Sequence, residues 1–214
     1  MSAVKVVAFN ASPHPQGNTA HALRIVTDVL ERNGIETETI HIGGQDIHPC
    51  MGCNGCARSR DGRCVLPDDG LNGWIEKIRQ ADGLLLGTPV HFSGMSGAMK
   101  CFLDRMTYVC GNSGGLLRHK VGAAVAAVRR SGGIPAVDGV NHYLTYSEML
   151  LPASNYWNVI HGLRPGEVEG DEEGVQILQV LGENMAWLLK LVDYGRDAVP
   201  APQPVRKKFT NFIR

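Results

Sequence analysis

Ser12-Pro13-His14-Pro15-Gln16-Gly17-Asn18-Thr19 stands between two stretches of different periodicity. Before it, Lys5-Val6-Val7-Ala8-Phe9 is a short apolar run that reads as a buried strand. After it, Ala22, Leu23, Ile25, Val26, Val29 and Leu30 repeat at helical spacing, and Asn33-Gly34 closes the helix. Ile35–Ile42 then alternates, which reads as a second strand. The segment up to Ile42 is therefore one β-α-β unit, and the quoted stretch is its strand-to-helix turn. Such a turn offers free backbone N–H groups at the positive end of a helix dipole, which favours a phosphate. Ser12, Asn18 and Thr19 add hydroxyl and amide donors. The stretch has neither the Gly-Lys-Ser/Thr of a Walker loop nor a Gly-x-Gly-x-x-Gly dinucleotide turn. A cradle without lysine or metal ligand suits a terminal monophosphate such as that of FMN.

The same alternation continues along the chain. A short helix is expected over 71–80, a buried strand over 83–87, and a helix over 95–109 with Met99, Phe102, Leu103 and Met106 on one face. Val121–Val128 is a fully apolar strand, 135–150 a helix, 155–160 a last strand and 173–192 a long final helix. Five short apolar strands alternating with helices predict an α/β fold: a doubly wound parallel sheet with helices on both faces. No repeat or linker divides the chain, so residues 1–193 read as one domain. It carries an irregular cysteine-rich loop at 48–66, and 194–214 reads as an extended basic arm. In such sheets ligands bind beyond the carboxyl ends of the strands. The loops 10–19, 88–95 and 129–134 lie there.

Composition narrows the class. Of 214 residues, 43% are hydrophobic and 20% charged, the balance of a globular domain with one core. Lys+Arg and Asp+Glu are both 21, so bulk charge recruits neither nucleic acid nor membrane. No apolar run reaches the ~18 residues of a membrane span. The chain runs from Met-Ser-Ala-Val-Lys straight into a strand, with no signal-peptide pattern, so a cytoplasmic protein is expected.

In a reducing compartment, six cysteines point to metal or redox chemistry rather than disulfides. Cys50, Cys53, Cys56 and Cys64 crowd into one loop, as Cys-x2-Cys-x2-Cys-x7-Cys. Thiolates at this spacing favour an iron–sulfur cluster or zinc, although structural zinc usually takes two separated pairs. The bland alternative is four reduced thiols. Cys101 reads as a buried small hydrophobe, and Cys110 is unassigned. His41, His48, His119, His142 and His161 show no partner pattern. Tyr156 and Trp157 read as core or subunit-contact residues. Arg129 and Arg130 read equally as a solvated turn or as contacts to FMN or a nicotinamide phosphate.

Ser-Pro-x-x-x-Gly-Asn-Thr, Gly-Thr-Pro-Val-His-Phe (87–92) and Gly-x-Met-Lys-x-Phe-Leu-Asp-Arg (97–105), in this order, resemble the NADPH-dependent FMN reductase superfamily of flavodoxin-like proteins. The resemblance covers roughly the first half of the chain. It implies a flavodoxin-like sheet and an FMN phosphate held at Ser12, His14, Gly17, Asn18 and Thr19, with His14 where relatives usually carry arginine. It implies the isoalloxazine near Pro89, Val90, His91, Phe92, Ser93 and Gly94, with Ser131, Gly132 and Gly133 beside the ring. The cysteine spacing resembles the iron–sulfur flavoprotein branch, which implies a [4Fe–4S] cluster on Cys50, Cys53, Cys56 and Cys64. The expected function is electron passage between that cluster and FMN, with a small-molecule or protein donor and acceptor, NAD(P)H among the candidates. The rival expectations are a cluster-free NAD(P)H-dependent FMN or quinone reductase and a zinc-binding, non-enzymatic domain. Relatives pair so that neighbouring subunits complete the flavin site, which implies a homodimer or homotetramer.

Overall fold

The computed structural model of the chain describes residues 3–205 and 207–212. Five parallel strands form the sheet: β1 (Lys5–Asn10), β2 (Glu36–His41), β3 (Gly83–His91), β5 (Val121–Val128) and β6 (Val159–His161). Their spatial order is β2-β1-β3-β5-β6, the order of a flavodoxin-like doubly wound sheet when only parallel strands are counted. A further two-residue strand, β4 (Gly94–Met95), folds back antiparallel on the end of β3. The direction of winding reverses between β1 and β3, so their carboxyl ends open the crevice that α/β sheets use for ligands.

Strand alternation divides the core in two. Val7, Phe9, Leu84, Leu86, Ala124 and Ala126 face α3 (Leu71–Gln80), α4 (Gly97–Asn112) and α5 (Gly133–Tyr146). Val6, Ala8, Leu85, Ala123 and Val125 face α1 (Asn18–Arg32) and α6 (Glu172–Gly195). Because β3 is covered on both faces, it reads as a continuous apolar run rather than an alternating one. Its buried leucines, Leu84, Leu85 and Leu86, each contribute about 1.5–3 kcal/mol over leaving them in water.

Several boundaries differ from the sequence reading. The segment 43–70 contains a short helix, α2 (Gly55–Ser59), whose five residues are too few to show periodicity. Met95 belongs to β4, because Ser96 caps α4 by accepting from the Met99 amide at 3.3 Å. The last strand shrinks to Val159–His161, since the chain bends through 155–158 and only Asn158 of that stretch reaches β5, its carbonyl accepting from the Ala126 amide at 3.0 Å. Beyond Gly195 the described residues form no helix or strand, and Val205, Phe209 and Phe212 are exposed. Of the expected domain and arm, Met1, Ser2, Arg206, Ile213 and Arg214 lie outside the described residues. No helix among the described residues is long and apolar enough to cross a membrane.

Candidate functional site

The turn after β1 is a hydrogen-bonded structure anchored at buried ends. Asn10 Oδ1 accepts from the Ser12 amide at 3.0 Å, and Ser12 Oγ accepts from the His14 amide at 3.1 Å. Ser12, Gly17 and Thr19 are buried, while Pro13–Gln16 are exposed. Gly17 caps α1 without any side-chain bond, and its carbonyl accepts from the Ala20 amide at 2.9 Å, which leaves the Asn18 and Thr19 N–H groups at the open end of the helix. Asn18 is turned partly aside: its Oδ1 accepts from the Gly166 amide at 2.9 Å, leaving Nδ2 as its remaining polar group. His14 is exposed and joins the turn through its backbone alone.

Three residues beyond the sequence reading hold this turn in place. His41 Nε2 stands 2.7 Å from the Ser12 carbonyl, so His41 does have a partner. Ser96 Oγ donates to the Ala11 carbonyl at 2.9 Å while capping α4, which ties the turn to the start of that helix. Gly43 passes beneath the turn, and any Cβ there would fall on the Ser12 carbonyl. Only Gly43-Gly44 and the Ser three residues before Met99 hinted at these ties.

The second and third loops meet. β3 turns into β4 through Phe92 and Ser93, both at left-handed φ (49° and 61°), with His91 paired to Gly94 across the turn. That two-residue geometry ordinarily selects Asn-Gly, and a non-glycine pair stores strain there. Phe92 projects fully into solvent at the tip, while Pro89 and Val90 are partly buried below it. Gly132 (φ 89°) packs against the hairpin, where an added Cβ would lie 2.7 Å from Ser93 Cα. Gly133 is buried and Ser131 exposed. Behind this loop opens a cavity of ≈ 330 Å³ lined in part by Arg130, Tyr156, Trp157 and His161. Tyr156 (60% exposed) and Trp157 (49% exposed) stack edge to face at 4.2 Å, so neither is a core residue.

The cysteines form the second half of the site. Cys50, Cys53, Cys56 and Cys64 line one small cavity, together with Arg105, Tyr108 and Val109 of α4. Cys50 and Cys53 are exposed, Cys64 is partly buried and Cys56 is 7% exposed. Burial, then the neighbouring Cys64 and Cys50, push the Cys56 thiol above its ordinary range. Asn72 clamps Cys64, accepting from its amide at 2.8 Å and donating to its carbonyl at 3.0 Å. Tyr108 Oη donates to Asn54 Oδ1, which pins the left-handed residue between Cys53 and Cys56. Arg105 is 1% exposed and pairs with Asp69. Burial opposes its charge, but Asp69 and then Cys64 outweigh burial and hold the guanidinium above its ordinary value. Among the described residues no three His, Cys, Asp or Glu side chains converge as ligands of a single metal ion. The remaining cysteines stand apart: Cys101 is only half-buried, on the α4 flank that carries Asp104, rather than in the core. Cys110 is a core residue whose thiol burial pushes up to about 12.

The family described as NADPH-dependent FMN reductase matches residues 4–163. An iron–sulfur flavoprotein of Methanocaldococcus jannaschii is 33% identical over 196 residues, covering 88% of this chain and 99% of its own length. An iron–sulfur flavoprotein of Methanosarcina thermophila is 26% identical over 196 residues, covering 91% of this chain and 100% of its own length. Among solved structures, RosB with bound 8-demethyl-8-formylriboflavin-5'-phosphate superposes with a TM-score of 0.69 at 18% identity, covering 99% of this chain and 94% of that one. A WrbA-like flavodoxin of Agrobacterium tumefaciens gives 0.62 at 14% identity, covering 89% of this chain and 99% of that one. At those identities the structural likeness is one of fold. The sequence matches span most of the chain and carry the argument further: the chain belongs to the NADPH-dependent FMN reductase family, in its iron–sulfur flavoprotein branch, and is an FMN-dependent oxidoreductase.

Proposed function

We propose that this protein passes electrons between FMN and a [4Fe–4S] cluster held by Cys50, Cys53, Cys56 and Cys64. The observation that carries the reading is that these four cysteines line one cavity. Four thiolates match the ligand count of a cubane, in which each binds a different iron, so the sulfurs spread around the cluster instead of converging on one ion. Zinc asks for the opposite, four donors around one centre. When bound, the cluster supplies single electrons and FMN joins them to two-electron chemistry.

The chain's own residues then have distinct tasks. Ser12, Gly17, Asn18 and Thr19, with the open end of α1, hold the flavin phosphate, and His14 lies at the rim. Pro89–Gly94 and Ser131–Gly133 flank the ring. The cavity behind Ser131–Gly133 gives a small donor such as NAD(P)H a route to that ring. α4 spans both halves. It begins at Ser96, bonded to the phosphate turn, and presents Arg105 to the cysteines, about 14 Å further at 1.5 Å per residue. A second link is shorter in sequence, since Gly43 lies beneath Ser12 and Cys50 follows in the same loop.

Anaerobic reconstitution tests the reading. The expected result is about four irons per chain with a broad visible absorbance shoulder, beside one releasable FMN. Wild-type protein that binds FMN and takes up no iron would be a plain NAD(P)H-dependent flavin or quinone reductase instead.

A further inference from the structure

Arg105 is the largest fully buried side chain among the described residues, and only part of it is used by the structure around it. Its Nη1 donates to the Asp69 carboxylate and, at 3.3 Å, to the His48 carbonyl. Asp69 Oδ2 also accepts from the His48 amide at 3.0 Å. The ion pair therefore fastens together the two ends of the segment that carries all four cysteines: His48 precedes Cys50, and Asp69 follows Cys64. That clasp accounts for Nη1 and leaves Nε unexplained. Nε is fully buried and has no partner, an arrangement costly for any donor and more so for a charged one. The same side chain lines the cysteine cavity, with Cys64 beside the guanidinium.

We infer that Arg105 tunes the cluster: its Nε–H donates to the Cys64 sulfur of the loaded site, and its charge favours the reduced cluster. The inference rests on the cluster reading above. The sign follows from charge. Reduction adds one electron to the cluster, so a nearby cation and a donor aimed at a ligand sulfur stabilise the reduced form and raise its potential. Asp69 counters that effect by neutralising part of the guanidinium charge. A mere clasp would govern only whether the loop holds together.

Two variants of the full, FMN-loaded chain separate these roles in an anaerobic redox titration followed by electron paramagnetic resonance. Arg105→Lys keeps the positive charge and removes the Nε donor. The cluster midpoint should become more negative while the FMN couple and FMN content stay unchanged. Asp69→Asn leaves the guanidinium unneutralised, and the midpoint should become more positive. Opposite shifts support the inference, and they can be read on whatever fraction of each variant is loaded. Loaded variants whose cluster midpoints match wild type would overturn it and leave Arg105 a clasp. A wild-type chain that takes up no iron would instead sink the cluster reading, and this inference with it.

Discussion

The turn after β1 and the cysteine loop are both glycine-bearing and lie side by side, yet they are held in different ways. Residues 10–19 hang between a central strand and a long helix, and backbone geometry sets most of their conformation: the Asn10–Ser12–His14 bonds, the uncapped start of α1, and the Ser96 tie. Residues 43–70 have one five-residue helix and depend on side chains brought from elsewhere, namely Arg105 and Tyr108 of α4 and Asn72 of α3. The first site is a consequence of the fold. The second is suspended from it.

The sharpest break of this comparison removes a buried thiol. Cys56→Ala should abolish cluster assembly, taking iron from about four per chain to near none. FMN content, released by heat and identified by chromatography, should be unchanged. Joint loss of FMN would mean that the two regions are one cooperative unit.

The converse experiment attacks the turn. Asn18→Ala combined with Thr19→Ala should weaken FMN binding, since each lost bond to a charged group is worth about 1.5–3 kcal/mol. The iron content should hold. Recovery of FAD in place of FMN from the wild type, or an unchanged FMN affinity in the variant, would place the phosphate elsewhere.

Gly43 is where the regions touch, so its substitution should damage both. A Cβ there meets backbone, which cannot swing away as a flexible side chain can. Gly43→Ala is expected to cost about 1–3 kcal/mol, the range for overpacking. The readouts are a lower melting temperature together with reduced FMN and iron. Loss of only one cofactor would show that the contact does not couple them.

The smallest effect concerns acid stability at the start of α6. Asp171 caps α6 by accepting from the Gly174 amide at 3.0 Å and also accepts from the His161 amide at 2.7 Å. Burial opposes ionisation, but these bonds outweigh it and set its pKa below the ordinary 3.8. A lowered folded-state pKa means that the stabilisation is present above the ordinary value and is lost as pH falls through the lowered one. Asp171→Ala should therefore cost about 0.5–2 kcal/mol near neutrality. The gap between variant and wild type should narrow in urea melts below pH 3.8. A gap independent of pH would show that Asp171 acts by packing alone.

Much of this protein was legible before any coordinates, because local rules govern what was read. Strand β1, the turn and α1 announce themselves through a change of period within thirty residues, and each neighbouring strand repeats the signal. Four cysteines within one short segment need no tertiary partner to be noticed. What escaped depends on residues distant in sequence. Nothing in the spacing of Asn72 or Tyr108 says that they brace Cys64 or Asn54, and Ser96 shows a helix cap but not its bond to Ala11. Tyr156 and Trp157 have the composition of core residues, but the chain bends before β6 and leaves them on the wall of a cavity. Arg105 looks like one more charge on a helix. Only the packing of α4 against the cysteine loop buries it, pairs it with Asp69 and sets an unbonded N–H among the thiols. The sequence by itself determined the order of the five parallel strands and the long helices, and the chemistry of the donors, since both follow from local periodicity and side-chain type. The tertiary structure alone decided which donors share a cavity and which charges lose their water, because burial and contact belong to the whole folded chain.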